Sequence, residues 1–309
     1  MRLIKIIFAC AFLAIARNAD SKAQPSVVPA AAAAQPAPGQ PVSEAAPTLF
    51  RIGWLPVTNS MVCTWVVVAV IFSIVRLGTR RMKEVPSGVQ NLIEATVEGL
   101  EELTAGVLKP RVARWVFPLA ATFFIFILVS NLMGLLPGVG SIGKGVPVKD
   151  SIMPFAVQHV ETPFFRAPTS DANMTVVMAA IFLVMSFYWA FRDNGPMGFI
   201  KHIFGVKVEG GKWAYAPLLL LFIFIGLMEM VSIILVRPVA LAMRLYGNIL
   251  GGESVLSIML THTPLGLGAL PFYFFELFIA VVQALVFALL AIAFVGTMCV
   301  QEGEGAGGR

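Results

Sequence analysis

From Ala216 to Leu260 the chain is almost continuously apolar, interrupted by Pro238. Drawn as one straight helix, those 45 residues would reach about 68 Å, more than twice the roughly 30 Å of a bilayer's hydrocarbon core. The segment therefore either turns once inside the membrane or crosses it strongly inclined. A soluble fold is excluded by the same run, because so much apolar surface would aggregate in water. Composition agrees: 58% of the 309 residues are hydrophobic and only 13% charged, with a mean hydropathy of +0.85. An average soluble domain carries about twice that charge. The reading is an all-α polytopic membrane protein.

Other apolar stretches fit around the long one. Met61–Val75, Trp115–Leu136, Met174–Phe191 and Phe272–Val300 predict further spans, giving about five membrane-embedded helices. Between the first two, Val85–Leu108 has Val89, Leu92, Ile93, Val97 and Leu100 at helical spacing among four glutamates, so it predicts an amphipathic helix on the membrane surface. Residues 1–23 have a basic start at Arg2 and Lys5, an apolar core Ile6–Ala16 and the small-x-small triplet Ser21-Lys22-Ala23. They predict a secretory signal cut before Gln24; eleven apolar residues are too few for an anchor. The Ala/Pro-rich stretch 24–48 predicts a disordered exported linker, 49–301 the membrane domain and 302–309 a flexible tail.

Charge sets the orientation. Loop 76–114 carries Arg76, Arg80, Arg81, Lys83, Lys109, Arg111 and Arg114, and loop 192–214 carries Arg192, Lys201, Lys207 and Lys212. Loop 137–172 carries only Lys144, Lys149 and Arg166, which puts it and the N-terminus outside and the other two loops in the cytoplasm. The net charge of +5 thus reports topology and not nucleic-acid binding, since no basic patch is interleaved with aromatics. Cys10, Cys63 and Cys299 form no CxxC and have no nearby histidine, which argues against metal or disulfide chemistry. No Walker-type phosphate loop is present, and no cofactor is implied.

Between Trp213 and Val300 five charged side chains remain: Glu229, Arg237, Arg244, Glu253 and Glu276. A charge near the middle of a membrane helix costs about 2.5–3.5 kcal/mol, so each needs a reason. Arg237, beside Pro238, and Glu229 can be read as helix-end residues that snorkel. Arg244, Glu253 and Glu276 have long apolar flanks and point to ion or proton handling. At 100° per residue Arg244, Gly247, Asn248 and Gly251 share a face, a cation standing among small residues that let another helix approach. A guanidinium does not release its proton at working pH, so Arg244 pairs with or repels charge instead of carrying it. Glu253, nine residues on, falls on the opposite face, while Glu276 and Gln283 share a face of the last helix. A second polar set lies toward the outer side: Asn131, and Thr169, Asp171 and Asn173, with Ser170 or Asp171 suited to cap the third span.

With these residues in view the chain resembles the a subunit of F-type ATP synthases. The likeness is carried by RPVALAMRLYGNILGGE around Arg244, and by NLMGLLPG, TSDANMT and VVQALVFALL in the same order, and it covers about residues 50–300. The resemblance implies a non-catalytic proton-channel subunit in a bacterial inner membrane, partnered by a c-subunit ring, by b subunits of a peripheral stalk and by the soluble ATPase head. It implies that Arg244 faces the ring's lipid-buried carboxylate and stops protons short-circuiting between two half-channels. It implies translocation roles for Asn248, Glu253, Glu276 and Gln283, and an outer half-channel at Asn131, Thr169, Asp171 and Asn173. The last two helices would form a long inclined hairpin along the ring. Two departures stand out: Glu276 occupies a position where some relatives have His, and the stretch from Glu229 to Pro238 is one residue longer than in familiar members. A self-contained secondary transporter is the competing class, disfavoured by the lack of an internal repeat. A passive scaffold would leave the buried polar set without a purpose.

Overall fold

The computed structural model describes residues 48–52, 55–136, 143–147, 157–163, 166–204, 215–262 and 268–299. The signal at 1–23, nearly all of the linker and the tail at 302–309 lie outside the described residues. A short antiparallel hairpin, β1 (Thr48–Ile52) and β2 (Leu55–Thr58), opens the described chain, with Ile52 opposite Leu55. It leads into α1 (Asn59–Thr79), whose start is capped by Thr58: its hydroxyl accepts the Met61 N–H at 3.4 Å. Helix α2 (Val89–Val107) follows Gly88, which takes φ +62°, a left-handed turn that glycine enters without a side-chain clash. α2 is the amphipathic element, burying Leu100 and Thr104 and exposing Glu98, Glu101 and Glu102.

The long apolar helices come next. α3 (Pro110–Leu135) begins on a proline, a residue preorganised for a first helical turn. A second antiparallel hairpin, β3 (Gly143–Pro147) with β4 (Val157–Pro163), occupies part of the stretch that the sequence presents only as a loop. A 3₁₀ turn, Pro168–Ser170, then delivers the chain to α4 (Ala172–Phe204). Asp171 caps α4 by accepting the Asn173 N–H at 3.0 Å, as one of the two candidate caps was expected to do. α4 runs well past Phe191 and is broken at Gly195, with φ +71°, just before Pro196.

The 216–260 run does not reverse. It forms α5 (Tyr215–Val231), a π-helical turn at Ser232–Val236 and α6 (Arg237–His262) in unbroken succession. α7 (Ala269–Cys299) closes the described chain. Five helical segments are long and apolar enough to cross a membrane: Asn59–Thr79, Pro110–Leu135, Ala172–Phe199, Leu221–Leu256 and Ala269–Cys299. The protein is thus an all-α, multi-pass membrane protein.

These helices contribute to two compact units. One takes the chain up to Ile74, Phe126–Val177 and Met243–Gln283; the other takes Val75–Ile125, Met178–Ala242 and the chain from Ala284. In the first, Ile127, Leu245, Ile249 and Leu256 are buried. In the second, Phe123 meets Phe287 edge to face at 5.5 Å, and Ala190, Phe199, Ile203, Ile233 and Met298 form a buried cluster.

Candidate functional site

The candidate residues all belong to the first unit. There Asn248 meets Gln283, and Gly252 lies against Glu276, so α6 and α7 run antiparallel: as the number rises on one it falls on the other. Asn248 Nδ2 donates to Gln283 Oε1 at 2.7 Å, while Gln283 Nε2 is buried without a hydrogen-bond partner among the described residues. A Cβ at Gly252 would collide with the Glu276 carboxylate, so the second glycine of ILGGE is what lets that carboxylate lie against α6.

α6 has two chemically distinct faces. Met243, Arg244, Gly247, Asn248, Gly251, Val255 and Ile258 are exposed at helical spacing, whereas Leu245, Ile249 and Leu256 are buried. Arg244 therefore stands on a face that no described residue covers. Glu253 points the other way, into a cavity of about 30 Å³ that it shares with Asn131, Ile249, Glu276 and Ala280. That volume holds a water molecule, and the walls offer the polar partners such a water needs. Glu276 and Gln283 are both buried on one face of α7.

The set of Asn131, Thr169 and Asp171 reaches this cavity through Asn131. Thr169 Oγ1 donates to Asn131 Oδ1 at 2.8 Å, and Asn131 Nδ2 donates to the Ala280 carbonyl at 3.4 Å. Asp171 serves twice: beside its capping bond, its Oδ2 accepts from Ser60 Oγ at 2.6 Å, tying α4 to α1. Asn131, Thr169 and Asp171 are buried, but the Asn173 side chain is exposed and contributes only its backbone N–H.

Two residues of this network, Ser60 and Arg166, were not among the sequence candidates. Ser60 opens the first apolar span, where a single serine carries no signal. Arg166 reads as a loop charge, yet it is buried and donates from Nε to Ser170 Oγ at 2.9 Å and from Nη2 to the Ser170 carbonyl at 3.2 Å. Ser170 Oγ in turn donates to the Ala167 carbonyl at 2.9 Å. A cationic residue three before TSDANMT was the available signal; only burial reveals its place.

In the second unit Arg237 and Glu229 form an ion pair, Nη2 to Oε1 at 2.5 Å, across the π-helical turn. Their side chains retain 18% and 44% exposure, so neither is fully withdrawn from its surroundings. Arg237 also donates to Thr297 Oγ1 at 3.0 Å and sits over the Phe294 ring. These two charges pair with each other, where the sequence had them as separate helix-end residues. Among the described residues no three His, Cys, Asp or Glu side chains converge as a metal site.

A multi-pass membrane protein that gathers two carboxylates, Glu253 and Glu276, round a water-sized cavity, with the fixed cation Arg244 on an uncovered face of α6, belongs to the class that handles ions. The family is explicit: residues 61–296 match the model of the ATP synthase A chain, and the protein belongs to that family. It is 34% identical over 239 residues to ATP synthase subunit a of Desulfosudis oleivorans, covering 77% of this chain and 87% of that one. The counterpart in Trichlorobacter lovleyi is 32% identical over 237 residues, covering 77% and 85%, and that in Gloeobacter violaceus 29% over 248, covering 80% and 86%. Membership supports a membrane-sector proton-channel role.

Proposed function

We propose that this chain is the stator of a membrane proton motor: it forms two half-channels against a c-subunit ring and couples proton flow to ring rotation and ATP synthesis. It makes and breaks no covalent bond itself. The observation that carries the reading is the division of α6, with Arg244 on the exposed face and Glu253 on the face that shares a cavity with Glu276.

The chemistry follows from that division. A permanent guanidinium on a surface of glycine, asparagine and apolar side chains attracts a carboxylate on a partner helix and holds it unprotonated while adjacent. Protons cannot pass the cation, so a ring carboxylate must give up its proton on one side and regain it on the other. Glu253 and Glu276 are the groups on this chain able to take and release protons, and Gln283 and Asn248 bridge α7 to the Arg244 face. Asn131, Thr169 and Asp171 line the approach from the outer side. Asn173 enters only through its capped backbone. The proposed setting is a bacterial inner membrane, with the N-terminus outside and with b subunits and the ATPase head as further partners.

The test is ATP-driven proton pumping by the reconstituted complex carrying Arg244→Ala. An assembled complex that hydrolyses ATP but no longer pumps is the expected result. Normal pumping would overturn the role given to Arg244.

A further inference from the structure

We infer that Arg111, Trp115 and Arg192, at one end of α3 and within α4, form a binding site for the phosphate of an anionic glycerophospholipid. The guanidinium carbons of Arg111 and Arg192 lie 5.2 and 4.2 Å from the centre of the same Trp115 ring. All three residues belong to the second unit, and both arginines are exposed. Neither arginine forms an ion pair with any described residue. Two like charges drawn to one indole repel each other, and a shared anion relieves that repulsion.

The end of α3 adds to the same field. Its first turn holds no acidic residue but carries Arg111, with Arg114 one turn on, although a helix N-terminus is itself the positive end of the helix dipole. Arg114 turns back to donate to the Pro110 carbonyl at 3.3 Å, which leaves Arg111 to face Trp115. Cations at a helix N-terminus are unfavourable unless a negative group joins them.

What makes the anion a lipid is the surface that leads to it. On α4, Ala180, Val184, Tyr188 and Phe191 are exposed at helical spacing, and the stripe ends at Arg192. Arg192 Nη1 also reaches the Tyr188 hydroxyl at 3.4 Å. An acyl chain lying along this stripe would place its headgroup between the two arginines, with Trp115 at the depth where tryptophan favours the interface. A free phosphate would use the cations and leave the stripe bare. Basic pockets between membrane helices are a known mode of anionic headgroup recognition.

The experiment uses the intact complex. It is washed in detergent, exchanged into mixed phosphatidylglycerol and phosphatidylcholine, re-purified and its retained lipid counted by mass spectrometry. The Arg111→Gln/Arg192→Gln variant is expected to lose occupancy by about fivefold for each guanidinium removed, with retained phosphatidylcholine unchanged. Equal phosphatidylglycerol retention by variant and wild type overturns the site. Should the double variant fail to assemble, the wild type answers alone, through modification of its arginines by phenylglyoxal. Phosphatidylglycerol vesicles should protect Arg111 and Arg192, while phosphatidylcholine vesicles and millimolar inorganic phosphate should not. Protection by phosphatidylcholine, protection by phosphate, or no protection by any of them each overturns the inference.

Discussion

Glu276 and Gly252 show how tightly single residues are fitted in the first unit. A methyl group at Gly252 has nowhere to go but into the Glu276 carboxylate, whereas a Cβ at Gly251 meets nothing within 4 Å. Gly252→Ala therefore has to push the carboxylate at the end of the flexible Glu276 side chain off α6 and should cost the chain up to about 1 kcal/mol, whereas Gly251→Ala, at an open helical position, should be neutral or stabilising by up to about 1 kcal/mol, read as shifts in denaturation midpoint of the purified chain without its partners. Asn131 is a second such point, because it alone joins the Thr169 hydroxyl to the Ala280 carbonyl. Asn131→Leu keeps the volume but strands the buried Thr169 hydroxyl, while the Ala280 carbonyl keeps its helical partner, at a cost of about 1–3 kcal/mol by the same measurement. If Asn131→Leu is neutral, the polar set is not a connected network. At this scale the sequence was informative about which residues were out of place and silent about their partners. A buried charge is conspicuous in an apolar run, but that Glu253, Glu276 and Asn131 share one cavity depends on helix-to-helix register, which no single helix's periodicity contains.

At the scale of the element, the π-helical turn at Ser232–Val236 accounts for the pairing of Glu229 with Arg237, eight residues on. In an unbroken α-helix, residues eight apart stand about 80° apart around the axis, and residues seven apart only about 20° short of two full turns. A π turn closes on the fifth residue instead of the fourth and so absorbs one residue, returning Arg237 to the phase of Glu229. Deleting Leu235, an exposed residue inside the turn, should convert it to α-helix and leave both the ion pair and the Arg244 face in register. Deleting Ala240 instead rotates Arg244 by about 100° relative to Arg237. Pumping by the reconstituted complex is expected to survive the first deletion within a few-fold and to be lost in the second. Loss in both would mean that the turn does more than keep phase. The same arithmetic marks where periodicity works as a guide. Between Arg244 and Glu253 the helix is regular, and the opposite-face placement read from their spacing is what the structure has. Between Glu229 and Arg237 the period changes, and the pair was invisible.

For the whole molecule, the feature that matters is how much is left uncovered. Five apolar helices were legible from composition and run length, because a bilayer sets the length of each span more firmly than packing does. The two short hairpins were not, since a few residues among glycine and proline carry no lasting alternation. Along α6 and α7, Met243, Val255, Phe274, Phe275 and Phe278 are exposed, and Arg244 stands amid the α6 part of that surface. Lipid satisfies the phenylalanines, but an unpaired guanidinium at that depth is costly unless a carboxylate arrives from outside the chain. A self-contained transporter would carry the counter-charge for its essential cation itself. This chain instead has Glu253 on the other face of α6, sharing a cavity there with Glu276 of α7, while Glu229 pairs with Arg237. The chain reconstituted alone should therefore pass no more protons than protein-free vesicles, measured with an entrapped pH dye under a potassium diffusion potential. Adding the c-subunit ring should open a conductance, and replacing the ring's membrane carboxylate with an amide should close it. Conduction by the chain alone would mean that the uncovered face is not the proton path and that a transporter had been mistaken for half of a motor.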